Sequence, residues 1–332
     1  MIFKGSIRRY FLLTTWGLLV VLLPPLFLST PSSAGKAAAA VARSQLKLRF
    51  PPSGKVALPF TFDDAKIHLP VRIGEETVFS MHLDNAWSIT TFTKQSIERS
   101  PVELGNFIKI PVRGIGGLSY IEGTTVLLEQ FQIGELAVNN HRVVVLDWKD
   151  YPVDGIIGCE IIRRMITTID YDNRQITFSR ADLNNPLNPG TSIREIIPFS
   201  INPWEGVPGG EVVFPIMLPE GKPMQGWLDL GSGQSIISWR GARELGISRF
   251  DTQLKSGGTL WGGDGRPVRS HIMELSSLQI GSITIKGPLK IYIADLDVFG
   301  DEQTLLIGND ILQHLGKITL NCDKNQLIVH QR

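Results

Sequence analysis

The chain has 332 residues, a formal net charge of +1 and 42% hydrophobic residues. That balance fits a globular protein of one or two domains and, with no concentrated basic stripe, gives no reason to expect a nucleic-acid partner. Its 33 glycines and 20 prolines fall between short apolar runs rich in Val, Ile, Thr and Phe, which favours a β-rich protein.

The first predicted element is an export signal. Lys4, Arg8 and Arg9 precede an apolar run from Tyr10 to Leu28, and the small residues Ser32-Ser33-Ala34 and Ala37 to Ala40 follow. This is the order of a basic segment, an apolar segment and a cleavage site. Residues 1–34 are read as the signal and 35–55 as a linker; a cut within the Ala-rich run is the variant reading. The rival is an uncleaved membrane anchor. Pro24-Pro25 leaves only Tyr10 to Leu23 uninterrupted, which is short for a span. Arg8-Arg9-Tyr10-Phe11-Leu12 resembles a twin-arginine signal, a pattern that any basic pair before an apolar run approximates. The expectation is export, periplasmic or extracellular if the source is bacterial, with a membrane contact only if the signal is retained.

Two later stretches raise one question. Met81-His82-Leu83-Asp84-Asn85-Ala86-Trp87 and Gly226-Trp227-Leu228-Asp229-Leu230-Gly231-Ser232 each carry an acid within an apolar run. Asp is depleted in strands, and a buried carboxylate costs free energy unless something compensates it. The two stretches belong to a repeat. The segment entering the first acid, Ile73-Gly74-Glu75-Glu76, falls opposite Leu218-Pro219-Glu220-Gly221, and Thr90-Thr91-Phe92 opposite Ser235-Ile236-Ile237. Phe131-Gln132-Ile133-Gly134 matches Leu278-Gln279-Ile280-Gly281. Gly155 to Ile162 matches Leu305 to Leu312, and Ile169-Asp170-Tyr171-Asp172 matches Leu320-Asn321-Cys322-Asp323. Ordered blocks at a nearly constant offset indicate internal duplication. The halves are placed at 56–180 and 195–332, joined by an Asn- and Pro-rich connector at 181–194. Each half reads as short strands, with a helix after each Ile-Gly pair, near Glu160 and near Asp310, whose opening acid complements the helix dipole.

At these residues the sequence resembles the aspartic peptidase superfamily of pepsin and the retropepsins, and most of all its exported bacterial members with two retropepsin-like halves in one chain. The shared elements are an apolar strand ending in an acid (Leu83-Asp84, Leu228-Asp229), a glycine-containing hairpin flap (Gly114-Ile115-Gly116-Gly117, Gly262-Gly263-Asp264-Gly265) and two apolar residues before Gly (Ile156-Ile157-Gly158, Leu306-Ile307-Gly308). The resemblance implies an all-β, bilobal acid-protease fold of two β-barrel-like halves with short helices. It implies peptide hydrolysis by water between Asp84 and Asp229, without metal or cofactor, on a peptide or protein substrate. Like charges held close cannot both ionise, so the paired carboxylates of such enzymes share one proton, and an optimum below neutral pH follows. With both halves in one chain, a monomer suffices. No long pro-segment is expected between the signal and the first half.

Both acid motifs depart from the family's Asp-Thr/Ser-Gly. Asn85 and Ala86 follow the first acid; Leu230 and Gly231 follow the second. In the family the Thr hydroxyl crosses to the opposite loop. Leu230 cannot do this, while Asn85 can bond to backbone. Ala86 is strained if its φ is positive. The alternative readings are therefore an inactive peptide-binding relative and a membrane-tethered scaffold. Thr90 and Ser235 are placed as supports of the outer carboxylate oxygens, with plain turn capping as the other reading. Gly116, Gly117, Tyr120, Trp261, Gly262 and Gly263 are placed in flap and substrate contacts, although Tyr120 reads equally as an ordinary strand aromatic. His82, on the same strand face as Asp84, is read as a packed side chain and not a metal ligand. Ser232 lies outside GxSxG, and no glycine cluster forms GxGxxG. Cys159 and Cys322 lack metal-binding spacing. Export permits a disulfide between them, but two buried thiols are the plainer reading.

Overall fold

The structure, a computed structural model, describes residues 46–149, 151–182, 192–204, 207–252, 254–296 and 304–332. The expected signal and most of the linker and connector lie outside the described residues. Among those described, no helix is long and apolar enough to cross a membrane.

The first half runs β1 (Lys47–Arg49), β2 (Lys55–Pro59), β3 (Thr61–Asp63), β4 (Lys66–Ile73), β5 (Thr77–Leu83), β6 (Thr91–Thr93) and α1 (Lys94–Ile97). It continues through β7 (Ile108–Gly114), β8 (Gly117–Ile133), β9 (Leu136–Leu146), β10 (Gly155–Ile157), α2 (Cys159–Ile162), β11 (Met165–Asp170) and β12 (Gln175–Arg180). The second half runs β13 (Ile193–Pro198), β14 (Ser200–Pro203), β15 (Gly210–Leu218), β16 (Lys222–Leu228), β17 (Ile236–Ser238) and α3 (Trp239–Glu244). Then come β18 (Lys255–Trp261), β19 (Pro267–Ile280), β20 (Ile283–Ala294), β21 (Thr304–Ile307), α4 (Asn309–Leu312), β22 (Lys317–Asn321) and β23 (Gln326–His330). The fold is all-β with a few short helices, in agreement with the sequence. The helices after Ile157-Gly158 and Ile307-Gly308 are present. The segment read as a linker carries β1, which pairs with β9.

The repeat reappears as strand pairing. In the first half β5 pairs parallel with β10, Leu83 opposite Ile157, and β10 pairs antiparallel with β6. In the second, β16 pairs parallel with β21, Leu228 opposite Ile307, and β21 pairs antiparallel with β17. The matched glycines Gly134 and Gly281 both open hairpins with φ of +58° and +59°, a conformation that a side chain resists.

Each half builds one large sheet, and a third joins them. Its order is β13-β23-β22-β11-β12-β2, so both halves contribute three strands. At its centre β11 and β22 run antiparallel with Thr168 opposite Thr319, and the two hydroxyls lie 2.7 Å apart in a hydrogen bond. Equivalent residues meeting each other mark an approximate two-fold relation between the halves. Behind the first acid strand, Phe92 packs edge-on against Phe79 and Phe131, with centroids 5.4 and 6.3 Å away. All three rings are buried, each contributing about 1.5–3 kcal/mol of hydrophobic stabilisation. This core fixes the strand ends where the acids sit.

Candidate active site

Both acids stand one residue past their strand, and the backbone holds them alike. The Asp84 amide donates to the Ile157 carbonyl at 3.0 Å and the Asp229 amide to the Ile307 carbonyl at 3.1 Å. Each extends the parallel pairing by one bond before the chain turns. Each turn then returns an amide to its own acid: Ala86 N–H to Asp84 Oδ1 at 2.7 Å, Gly231 N–H to Asp229 Oδ1 at 2.8 Å. These amides favour the ionised carboxylate.

Asn85 crosses between the halves. Its Nδ2 donates to the Leu228 carbonyl at 2.9 Å, and its Oδ1 accepts from the Leu230 amide at 2.7 Å. One amide side chain thus satisfies a donor and an acceptor of the opposite turn. Leu230, lacking a hydroxyl, is fully buried in the apolar core. It is braced from its own half by Asn309, whose Nδ2 donates to the Leu230 carbonyl at 2.7 Å. Asn309 is held in turn by the Tyr171 hydroxyl of the first half at 2.7 Å.

Gly231 lies directly against the other acid. A Cβ built there would fall 2.2 Å from Asp84 Cγ and 2.3 Å from its Oδ2. Neither Ala86 nor Gly231 has a positive φ, so the strain expected at Ala86 is absent. Glycine at 231 is required by the approach of the Asp84 carboxyl and not by its backbone dihedral.

Burial, and then the charge of Asp229, hold the Asp84 carboxyl well above the usual carboxylate range. Burial pushes Asp229 up to about 6, against the Gly231 and Ser232 amides. Lys66, at the start of β4, places a cation whose field lowers both. The hairpin that carries it rests on the second turn: a Cβ on Gly233 would lie 2.2 Å from the Asp64 carbonyl and 3.5 Å from Lys66 Cγ.

Thr90 and Ser235 support the site differently from expectation. Their hydroxyls accept from the Gly158 and Gly308 amides at 3.1 and 3.0 Å, and the Ser235 hydroxyl donates to Asp310 at 2.6 Å, not to the acid pair. Their own amides donate to Glu160 at 2.7 Å and Asp310 at 3.0 Å. The acids that open α2 and α4 therefore tie each turn to the helix behind it, which matters more than a dipole effect in four-residue helices. In the first half buried His141 completes the link, with Nε2 2.9 Å from Glu160.

The hairpins β7–β8 and β18–β19 stand where the sequence places the flaps, and their tips touch. Tyr120 and Trp261 are 61% and 65% exposed. The inward residues are Ile115, which packs on the second half's apolar cluster with Ala86, and Gly263, seated on the Trp87 ring. The Trp148 indole N–H donates to the Gly263 carbonyl at 3.1 Å and the Trp148 ring stacks on Tyr151 at 4.5 Å. Tyr151 lies within the field of Asp84, so this aromatic wall flanks the first acid.

His82 is a packed side chain, 4% exposed and stacked on His68 at 5.6 Å. No cluster of metal-binding side chains occurs among the described residues. Cys159 and Cys322 are free thiols. Sequence reasoning assigns no role to Lys66, Asn309, Tyr171, Trp148 or Asp264, although Tyr171 and Asp264 fall inside its motifs. Of the others, only Asn309 leaves a trace in the chain, as a polar residue at the helix start where the other half has Cys159.

The turn of Asp84, the first hairpin and the Ile156-Ile157-Gly158 element all fall inside residues 69–161, which match a family model described as aspartyl protease. That stretch is aspartyl-protease-like in sequence, within an all-β fold. No curated protein matches the chain.

Proposed function

We propose that this protein is an exported aspartic endopeptidase in which Asp84 and Asp229 together activate water against a peptide bond. The observation that carries the reading is the pair itself: two half-buried acids on equivalent turns, one leaning on the glycine of the other's turn and each held by matching amides. Carboxylates so placed retain one proton between them in mildly acidic solution, and the titration belongs to the pair. The ionised member takes a proton from water as the neutral member protonates the scissile carbonyl, and the resulting tetrahedral species collapses with proton return to the leaving amine.

The Asn85 bridge supports activity over the inactive binding module. A scaffold that had lost the Thr grip without replacement would let the acids drift, and a small misplacement is heavily penalised. Asn85 supplies the crossing bonds by another chemistry.

Incubation of the purified protein with a diverse peptide mixture from about pH 3 to about pH 8, with new termini read by mass spectrometry, tests this. Acid-favoured cuts absent from Asp229→Asn are expected. A folded protein that cuts nothing at any pH would leave a peptide-binding module.

A further inference from the structure

The tip of the second hairpin carries a carboxylate that the acid pair does not use. Asp264 is 3% exposed, and among the described residues neither of its oxygens has a hydrogen-bond partner. It is seated in glycine. Cβ atoms built on Gly114 and Gly116, at the tip of the first hairpin, would fall 2.3 Å from its Oδ1 and 2.7 Å from its Oδ2; one on Gly262 would fall 2.6 Å from Oδ1. The seat thus exists only because these three residues lack side chains. Around it the hairpins exchange contacts, Ile115 passing to the second half's apolar cluster and Gly263 to Trp87 and Trp148 of the first.

We propose that Asp264 is the clasp between the two hairpins: its carboxyl, seated in the glycine tip of the first hairpin, holds both tips together beside the acid pair when neutral and releases them when ionised. An ionised carboxylate with no well-formed hydrogen bond is expensive to bury, whereas an open hairpin returns it to water. Burial displaces the carboxyl upward; its own amide, the Gly116 amide, and the charge and amide of Arg266 on its own hairpin offset part of this, and the displacement remains upward. The tip residues Gly114, Ile115, Gly116 and Gly117 of the first hairpin carry no charge, Arg113 stands next to them on β7, and Trp87 and Trp148 beneath Gly263 carry no charge. Closure is therefore favoured by acid, the same direction as the proposed chemistry, but it is a property of the hairpins and needs no substrate.

Amide hydrogen exchange followed by mass spectrometry on the full chain, corrected for intrinsic rates, reads closure without reference to catalysis. Protection of the segments 110–120 and 258–268 should fall as pH rises, by about tenfold for each unit by which the seated carboxyl is displaced. In Asp264→Asn, neutral at every pH and nearly the same shape, protection of the tips should stay at the acid-side level throughout. Gly114→Ala, whose methyl group meets only Asp264, should lower it at every pH while the six-stranded sheet keeps its protection, showing the fold intact. Tip protection independent of pH in the parent, or an identical pH dependence in Asp264→Asn, would overturn the clasp. A protein that cuts no peptide yet shows this behaviour would lose the proposed activity and keep the clasp.

Discussion

Asn85 and Leu230 are joined across the two halves by a 2.7 Å hydrogen bond from the Leu230 amide to the Asn85 side-chain oxygen, while the same side chain donates to Leu228. Asn85→Ala would orphan the Leu230 amide, at roughly 1–3 kcal/mol for the buried group, and remove one of the bonds to the Leu228 carbonyl, which stays paired in the sheet. Chemical denaturation should read this loss, and peptide cleavage should fall with it. Asn85→Asp keeps the first bond, loses the second and adds a negative charge beside the pair. Its pH-activity profile should move to higher pH, which a purely structural defect would not produce.

Gly231→Ala places a methyl group on the Asp84 carboxyl, where the built Cβ lies 2.2 Å from Cγ. Overpacking of this kind costs about 1–3 kcal/mol. The thermal midpoint should drop, and activity should drop further than stability, because the displaced group is one of the acids. An Ala variant as active as the parent would show that the approach of the two turns is looser than the structure has it.

Asp84→Asn and Asp229→Asn should each lower cleavage by roughly 10²–10⁴-fold, the usual scale of acid–base contributions. They should also change stability with pH. Each carboxyl is raised in the folded state, so folding retains protons that the unfolded chain releases. The stabilising contribution is complete below the unfolded value of 3.8 and, for Asp229, is lost as pH rises through about 6. Asp229→Asn should therefore gain stability over the parent at neutral pH by up to roughly 3 kcal/mol and gain little in acid.

His82 behaves in the opposite sense. Burial first, then Lys66 and His68, hold its imidazole well below the usual histidine range. The unfolded chain takes up a proton near 6.5 that the folded protein refuses, so stability falls as pH drops below that value, by up to about 1.4 kcal/mol per pH unit. His82→Phe should flatten the acid limb of a plot of thermal midpoint against pH. An unchanged limb would place the proton uptake elsewhere.

Much of this site is legible in the chain. The acid-bearing strand ends, the Gly-Ile-Gly-Gly tip and the helix after each Ile-Gly pair are local patterns, and the repeat sets each beside its counterpart. What misleads is direction. The repeat aims Thr90 and Ser235 at the acid pair, but each sits at the entrance to a strand whose hydroxyl meets the amide of the neighbouring Gly158 or Gly308.

The sequence by itself determined that this is a β-rich protein with two acids at strand ends in similar surroundings, because period and turn chemistry are properties of neighbours along the chain. Only the tertiary structure decided that Asn85 replaces the lost hydroxyl, that Gly231 is there to admit a carboxyl, that Lys66 lends its field to both acids, and that Asp264 sits in the other hairpin's glycines. Each of these joins residues far apart in sequence. Such a partnership depends on the register and packing of whole sheets, which no local pattern encodes.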